Sequence, residues 1–185
     1  CRRYNGINLP TKEPKRSRHL WLRSELHSMI YFPIRFKLTA KEINDLLEED
    51  KLIDYYKHHG KSGYHHLDFG KPREDLTNKI IKFFPNPNKV TLTAIEENKT
   101  VPLHTDGNYG RKTVIIMPLS NNYAPCIADN IEIPYMNCYA FNTQVPHTVI
   151  NNNHRRVSLQ LWYDIEIEKL YHIMGELWNG YAFRQ

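Results

Sequence analysis

The chain has 185 residues, 41% of them hydrophobic and 12% aromatic, enough apolar material for one sizeable core in a length unlikely to hold two. That composition excludes a disordered chain, and no apolar run is long enough to span a bilayer. The formal charge of +5 arises from 25 Lys and Arg against 20 Asp and Glu.

Basic residues crowd the first part of the chain: Arg2, Arg3, Lys12, Lys15, Arg16, Arg18 and Arg23, among Pro10 and Pro14. Residues 1–30 therefore read as a basic extension, either simply solvated or able to meet nucleic acid. Trp21, Leu22 and Leu26 would anchor its end, and the same charge could steer an anionic substrate or partner. Three cysteines, Cys1, Cys126 and Cys138, form neither a paired framework nor a C-x-x-C spacing. Free thiols and a cytoplasmic location are the expectation. No apolar signal-peptide core stands near the start, and with Cys1 in first position an initial segment could precede it.

Residues 31–185 are expected to form one domain. Tyr31 to Leu38 alternates loosely and reads as a strand. Helical support is predicted over 39–84. Thr39-Ala-Lys-Glu42 is a capping box, in which the Thr and Glu side chains each satisfy the other's end of a helix N-terminus. Ile43, Leu46, Leu47, Leu52, Ile53 and Tyr56 then recur at near-helical spacing until Gly60. A second helix from Glu74 to Phe84, ended by Pro85 and Pro87, would lay Leu76, Ile80, Ile81 and Phe84 on one side of a sheet. The core, about 89–165, is predicted as strands: Val90 to Glu96, Lys112 to Met117, Ile131 to Phe141, and Arg156 to Ile165, with Asn, Gly and Pro in the turns. A last helix over 166–179 carries Leu170, Ile173, Met174 and Leu177 on one face. Helices followed by many short strands predict a mainly β fold with flanking helices, a jelly-roll barrel.

His104-Thr-Asp106 and the later His147 supply two imidazoles and a carboxylate. That donor set is the facial triad which grips one side of an octahedral Fe(II) and leaves the other side open. Side chains alternate along an extended strand, so His104 and Asp106 would point to the same side. His147 would arrive from a distant strand, ahead of a polar turn through Asn151 to His154. On the strand beyond, Arg156, Ser158, Gln160 and Trp162 share one face and Val157, Leu159, Leu161 and Tyr163 the other. The second face is an ordinary apolar surface. On the first, a guanidinium and a hydroxyl two residues apart can both reach a carboxylate, and the guanidinium does so as a bidentate fork. Alternation selects Arg156 over Arg155 as the inward residue. His58-His59 and His65-His66 read as surface or loop residues, since neighbouring side chains diverge. The stretch from Gly60 to Gly63 reads as a flap over the barrel mouth, His154 as solvent-facing, and Asn151 as a turn organiser through its amide. The Asn108-Tyr109 loop, the 60–70 region and Trp162 are candidate pocket walls.

From about Val90 to Asp164 the chain resembles the catalytic core of the Fe(II)/2-oxoglutarate-dependent oxygenases. That family shows H-x-D...H followed by a basic residue some nine to eleven positions later, and Arg156-Val-Ser158 is similar to its R-x-S element. The likeness of His104-Thr-Asp106 with Met117-Pro118-Leu119, and of His147-Thr-Val-Ile-Asn151, is to the aspartyl/asparaginyl hydroxylase branch. The ending Arg156-Val-Ser-Leu-Gln-Leu-Trp-Tyr163 is similar to the prolyl hydroxylases. Several aspartyl hydroxylases lack the triad carboxylate, which is present here as Asp106, and its presence also argues against a halogenase. The resemblance implies a double-stranded β-helix of cupin-like form, with His104, Asp106 and His147 as iron ligands. Arg156 and Ser158 would hold the far carboxylate of 2-oxoglutarate. Dioxygen would be the third reactant and an amino acid, peptidyl residue or related small molecule the substrate, hydroxylated at a C–H bond with release of succinate and CO2.

Two other classes use the same residues differently. A cupin-like barrel could hold Zn, Mn or Fe without 2-oxoglutarate, which leaves Arg156 and Ser158 without a role. A nucleic-acid-binding protein would rely on the basic arm, with the metal site incidental.

Overall fold

The computed structural model describes residues 29–52, 56–57, 67–106, 111–120, 125–151 and 154–180. The basic arm, Cys1, His58-His59, His65-His66, the Gly60–Gly63 stretch and Asn108-Tyr109 lie outside them. In chain order the elements are β1 (Tyr31–Pro33), α1 (Ala40–Leu52), β2 (Tyr56–Lys57), β3 (Leu67–Gly70) and α2 (Glu74–Ile81). Then come β4 (Lys89–Ile95), β5 (Thr100–His104), β6 (Thr113–Pro118), β7 (Cys126–Ala128), β8 (Ile131–Ile133), β9 (Tyr139–Asn142), β10 (His147–Ile150), β11 (Arg156–Tyr163) and α3 (Ile167–Gly180). The strands form two facing antiparallel sheets, a seven-stranded one in the order β1-β9-β6-β11-β4-β3-β2 and a four-stranded one in the order β5-β10-β7-β8. With helices against the larger sheet, this is the double-stranded β-helix barrel expected from the sequence.

Alternation along the central strands produces two cores. On β11, Val157, Leu159, Leu161 and Tyr163 point away from the barrel and pack with Leu46 of α1, Ile80 of α2 and Leu170 and Met174 of α3. Trp162, on the opposite face, joins Val114 and Ile116 of β6, Cys126 and Ala128 of β7 and Phe141 of β9 between the sheets. On β6 the intervening Ile115 and Met117 belong to the helix side. One strand thus feeds both layers, and its polar inward residues fall on the barrel side.

Local chemistry sets several boundaries. The capping box forms: the Thr39 N–H donates to Glu42 Oε2 at 2.7 Å, and the Glu42 N–H to Thr39 Oγ1 at 3.2 Å. The helix it starts is shorter than its apolar spacing predicts. α1 ends at Leu52, which is exposed, and Tyr56–Lys57 pairs with Phe69 and Asp68 of β3. Backbone pairing to a sheet edge overrides the helical periodicity there. The predicted strand Tyr31 to Leu38 stops at Pro33, whose ring has no N–H for a ladder. Ile131 to Phe141 is not one strand. Pro134 interrupts it, and its halves β8 and β9 lie in different sheets. Between β7 and β8, Asp129 and Asn130 both take positive φ (47° and 62°), the conformation a two-residue I′ hairpin turn demands. Among the described residues no helix is long and apolar enough to cross a membrane.

Candidate metal centre

His104 and His147 meet because β5 and β10 pair antiparallel with those two residues opposite each other. His104 ends β5 and His147 begins β10, so the pair sits at one end of the smaller sheet. The register slips between His147 and Val149. Pro102 and Leu103 there oppose the single residue Thr148, a bulge on an edge strand where a residue lacking an N–H is tolerated. Thr148 Oγ1 spans the bulge by donating to the Val101 carbonyl at 2.7 Å. A bulge bends its strand and redirects the side chain beyond it, here His104. Asp106 is not on that strand, contrary to the simple alternation argument. It lies past the end of β5, fixed by its N–H to the Thr143 carbonyl at 2.9 Å.

The donor atoms of His104, Asp106 and His147 all lie within 4.8 Å of one another. Asp106 presents Oδ1 to His104 Nε2 at 3.8 Å and Oδ2 to His147 Nε2 at 3.8 Å. Each imidazole is oriented from behind. His104 Nδ1 contacts the Pro102 carbonyl at 2.7 Å and His147 Nδ1 the Val145 carbonyl at 2.9 Å. A carbonyl only accepts, so both Nδ1 atoms carry a hydrogen, and both Nε2 atoms are turned toward Asp106. The Phe141 ring meets His147 edge-on, with centroids 4.9 Å apart. Burial holds the His147 pKa below its ordinary value, and the neighbouring His104 pulls the same way against the Val145 hydrogen bond and Asp106. A pre-oriented imidazole pair beside a carboxylate is the donor set a divalent transition metal requires.

The triad opens into a cleft between the sheets, about 610 Å³ including its mouth, which Arg156, Ser158, Gln160 and Trp162 also line. All four come from the barrel face of β11, as the alternation predicts. Arg156 and Ser158 are buried, opposite Ile95 and Thr93 of β4. Ser158 Oγ accepts from Gln160 Nε2 at 3.3 Å. Cys126 also faces the cleft; burial raises its thiol pKa to about 11 against the opposing pull of the Arg156 charge. Cys126 and Cys138 are both free and buried.

Two polar atoms of the cleft are left over, one on Gln160 of the predicted inward face and one on Thr93, which was not anticipated. Thr93 Oγ1 and Gln160 Oε1 are buried there without a hydrogen-bond partner. Unpaired buried polar atoms are uncommon, and facing a cleft they are free to meet a ligand. Thr93 had a signal in the sequence: Thr91 and Thr93 alternate with Val90, Leu92 and Ala94 in a strand buried on both sides. Arg155 faces elsewhere, binding Asp50 of α1 through its Nη2 at 3.1 Å and also pairing with Glu96. His154 is exposed, and Asn151 donates from Nδ2 to the carbonyls of Ile95, Glu96 and His154 at 2.7–3.0 Å.

No protein-family model matches the chain, and no curated protein matches it by sequence. Solved structures share its fold. A 2OG-Fe(II) oxygenase family oxidoreductase from Burkholderia pseudomallei is similar over 71% of this chain and 82% of its own, with a TM-score of 0.51 at 9% identity. SnoN from nogalamycin biosynthesis, a non-heme alpha ketoglutarate dependent epimerase, is similar over 74% of this chain and 76% of its own, with a TM-score of 0.54 at 14% identity. The barrel is therefore one that 2-oxoglutarate- and iron-dependent enzymes also use.

Proposed function

We propose that this chain is an Fe(II)- and 2-oxoglutarate-dependent dioxygenase that hydroxylates a C–H bond of an amino acid, a peptidyl residue or a related small molecule. One observation carries the reading: two imidazole nitrogens and a carboxylate converge at one end of a cleft that also holds a buried arginine. That arginine, with Ser158 two residues on, favours this reading over a metal-binding barrel without the co-substrate. His104, Asp106 and His147 would hold the iron through Nε2, a carboxylate oxygen and Nε2. Arg156 would fork onto the far carboxylate of 2-oxoglutarate, with Ser158 donating beside it. The Thr93 hydroxyl, opposite Ser158 and without a partner, supplies a third donor.

When bound, the iron and its co-substrate supply the oxidation: 2-oxoglutarate, O2 and R–H become succinate, CO2 and R–OH. The chain supplies orientation and exclusion of water. Val101, Val114, Ile116, Phe141 and Val149 wall the cleft with apolar surface, so charge placed there meets few competing waters. Among the branches, the sequence motifs favour an aspartyl/asparaginyl or prolyl type of hydroxylation.

The test is anaerobic titration of metal-free protein with Fe(II), with and without 2-oxoglutarate, following the visible metal-to-ligand charge-transfer band. A band that needs both components, and is lost in His104→Ala and Asp106→Ala, is the expected result. Metal binding without the band would move the protein to the cupin-like class, and no metal binding would remove both readings.

A further inference from the structure

Two cationic residues stand by Trp162, a residue of the cleft wall, and the proposed co-substrate accounts for neither. Across β4 and β11 the inward residues pair as Ile95 with Arg156, Thr93 with Ser158, Thr91 with Gln160 and Lys89 with Trp162. Arg156 and Trp162 are six residues apart on one strand, roughly 20 Å at the usual rise. That is far longer than the five-carbon chain of 2-oxoglutarate. At the Trp162 end stands Arg111, its guanidinium carbon 5.0 Å from the centre of the Trp162 ring.

Arg111 is placed with respect to the metal ligands and not only to the tryptophan. The Thr143 carbonyl accepts from the Asp106 N–H at 2.9 Å, and the Thr143 hydroxyl donates to the Arg111 carbonyl at 2.9 Å. A single residue of the cleft wall thus ties a triad ligand and this arginine together. The ring beneath Arg111 is fixed as well, since Trp162 Nε1–H donates to Thr91 Oγ1 at 3.0 Å. No carboxylate among the described residues lies within ion-pair distance of Arg111. Lys89, across from Trp162, brings a second positive charge, and burial together with repulsion from Arg111 lowers its pKa. Neighbouring cations repel each other, and an anion beside them relieves that repulsion. A guanidinium over an indole face can keep N–H groups available for a bidentate oxyanion.

We propose that Arg111, over the Trp162 ring and reinforced by Lys89, is the subsite for an oxyanion of the substrate, so that the hydroxylated compound carries a carboxylate or phosphate group. The assignment rests on the oxygenase reading and names the substrate class for that site. Arg156 would orient the co-substrate from its end of β11, and Arg111 the substrate from the Trp162 end.

The experiment is calorimetric titration of protein loaded anaerobically with Fe(II) and saturating 2-oxoglutarate, using inorganic phosphate and, separately, acetate. One anion site per chain is expected to persist under saturating 2-oxoglutarate. Arg111→Gln should weaken it about tenfold or more, the scale of a lost charge-assisted contact, while Arg111→Lys retains part of the affinity. Tighter phosphate would point to a phosphorylated substrate and tighter acetate to a carboxylate. Absence of anion binding, binding abolished by 2-oxoglutarate, or binding unmoved by Arg111→Gln would each overturn the subsite. The charge-transfer band, recorded on the same samples, separates this failure from that of the oxygenase reading. Anion binding at Arg111 without the band would support the subsite while removing its role in hydroxylation.

Discussion

Arg156 is the residue whose chemistry can be tested most directly, because its proposed ligand is known even where the substrate is not. A buried guanidinium on the cleft wall, two residues from a buried hydroxyl, is placed to fork onto a carboxylate there. With charge-assisted hydrogen bonds contributing about 1.5–3 kcal/mol, Arg156→Ala should raise the 2-oxoglutarate needed for half the charge-transfer band by roughly 10- to 150-fold. Ser158→Ala removes a neutral donor and should raise it only about 2- to 10-fold. Arg156→Lys keeps the charge but loses the fork and should fall between the two. If Arg156→Ala leaves the requirement unchanged, the co-substrate carboxylate sits elsewhere in the cleft. The choice of Arg156 over Arg155 was readable from parity alone, and the structure sends Arg155 to Asp50 and Glu96. Parity could not reveal Arg111, whose position depends on Thr143 and on the facing Trp162.

At the scale of elements, the connection from β10 to β11 decides how far the His147 end stands from the Arg156 end. Asn151 governs it. Its amide has two hydrogens and lies against three carbonyls, two at the end of β4 and one at His154, while its Oδ1 is buried without a partner. The side chain therefore clasps the turn to β4, and Asn151→Ala leaves those carbonyls short of donors. A loss of about 1–3 kcal/mol is expected, read by urea unfolding. Asn151→Asp should be worse, since a carboxylate would face carbonyl oxygens. If Asn151→Ala unfolds at the wild-type midpoint with an unchanged slope, the clasp contributes nothing to stability. The sequence made β11 legible because eight residues alternate cleanly between two buried faces. It put His104 and His147 on strands but gave no bounds for β5 and β10, which are four or five residues long, bulged, and carry Pro102 and the two histidines in place of an apolar alternation. It also joined β8 to β9, because Ile131, Ile133, Tyr139 and Phe141 look like one apolar run unless Pro134 is weighed as a break. The candidate ligands were nonetheless identifiable without those strands, since donor chemistry and order along the chain do not depend on where each strand begins.

For the molecule as a whole, the triad joins parts of the chain that are distant in sequence. β5 supplies His104, the following segment Asp106, and β10 supplies His147, held between β5 and β7. A metal bound by all three should therefore stabilise the folded state against unfolding, where no such site exists. At a free metal concentration 100 times its dissociation constant the gain is about 2.7 kcal/mol, or roughly 5–11 °C in Tm for a chain of this size. Mn(II), which prefers the same oxygen- and nitrogen-rich octahedral sites, allows the measurement in air. pH sets the sign of a second effect. Burial depresses the His147 pKa below 6.5, so the unfolded chain takes up its proton first as pH falls. The metal-free protein then has the full contribution of this group above pH 6.5 and loses it as pH falls through the lowered folded value. Metal binding opposes the same protonation, because Nε2 must keep its lone pair. Thermal unfolding from pH 8 to pH 5 should accordingly show Tm falling on the acid side in both forms, with the Mn(II) increment shrinking as His147 protonates. In His147→Gln the increment should be small at every pH. An increment equal at pH 5 and pH 8, or one that survives in His147→Gln, would place the stabilising ion away from the triad and leave the cleft without its metal.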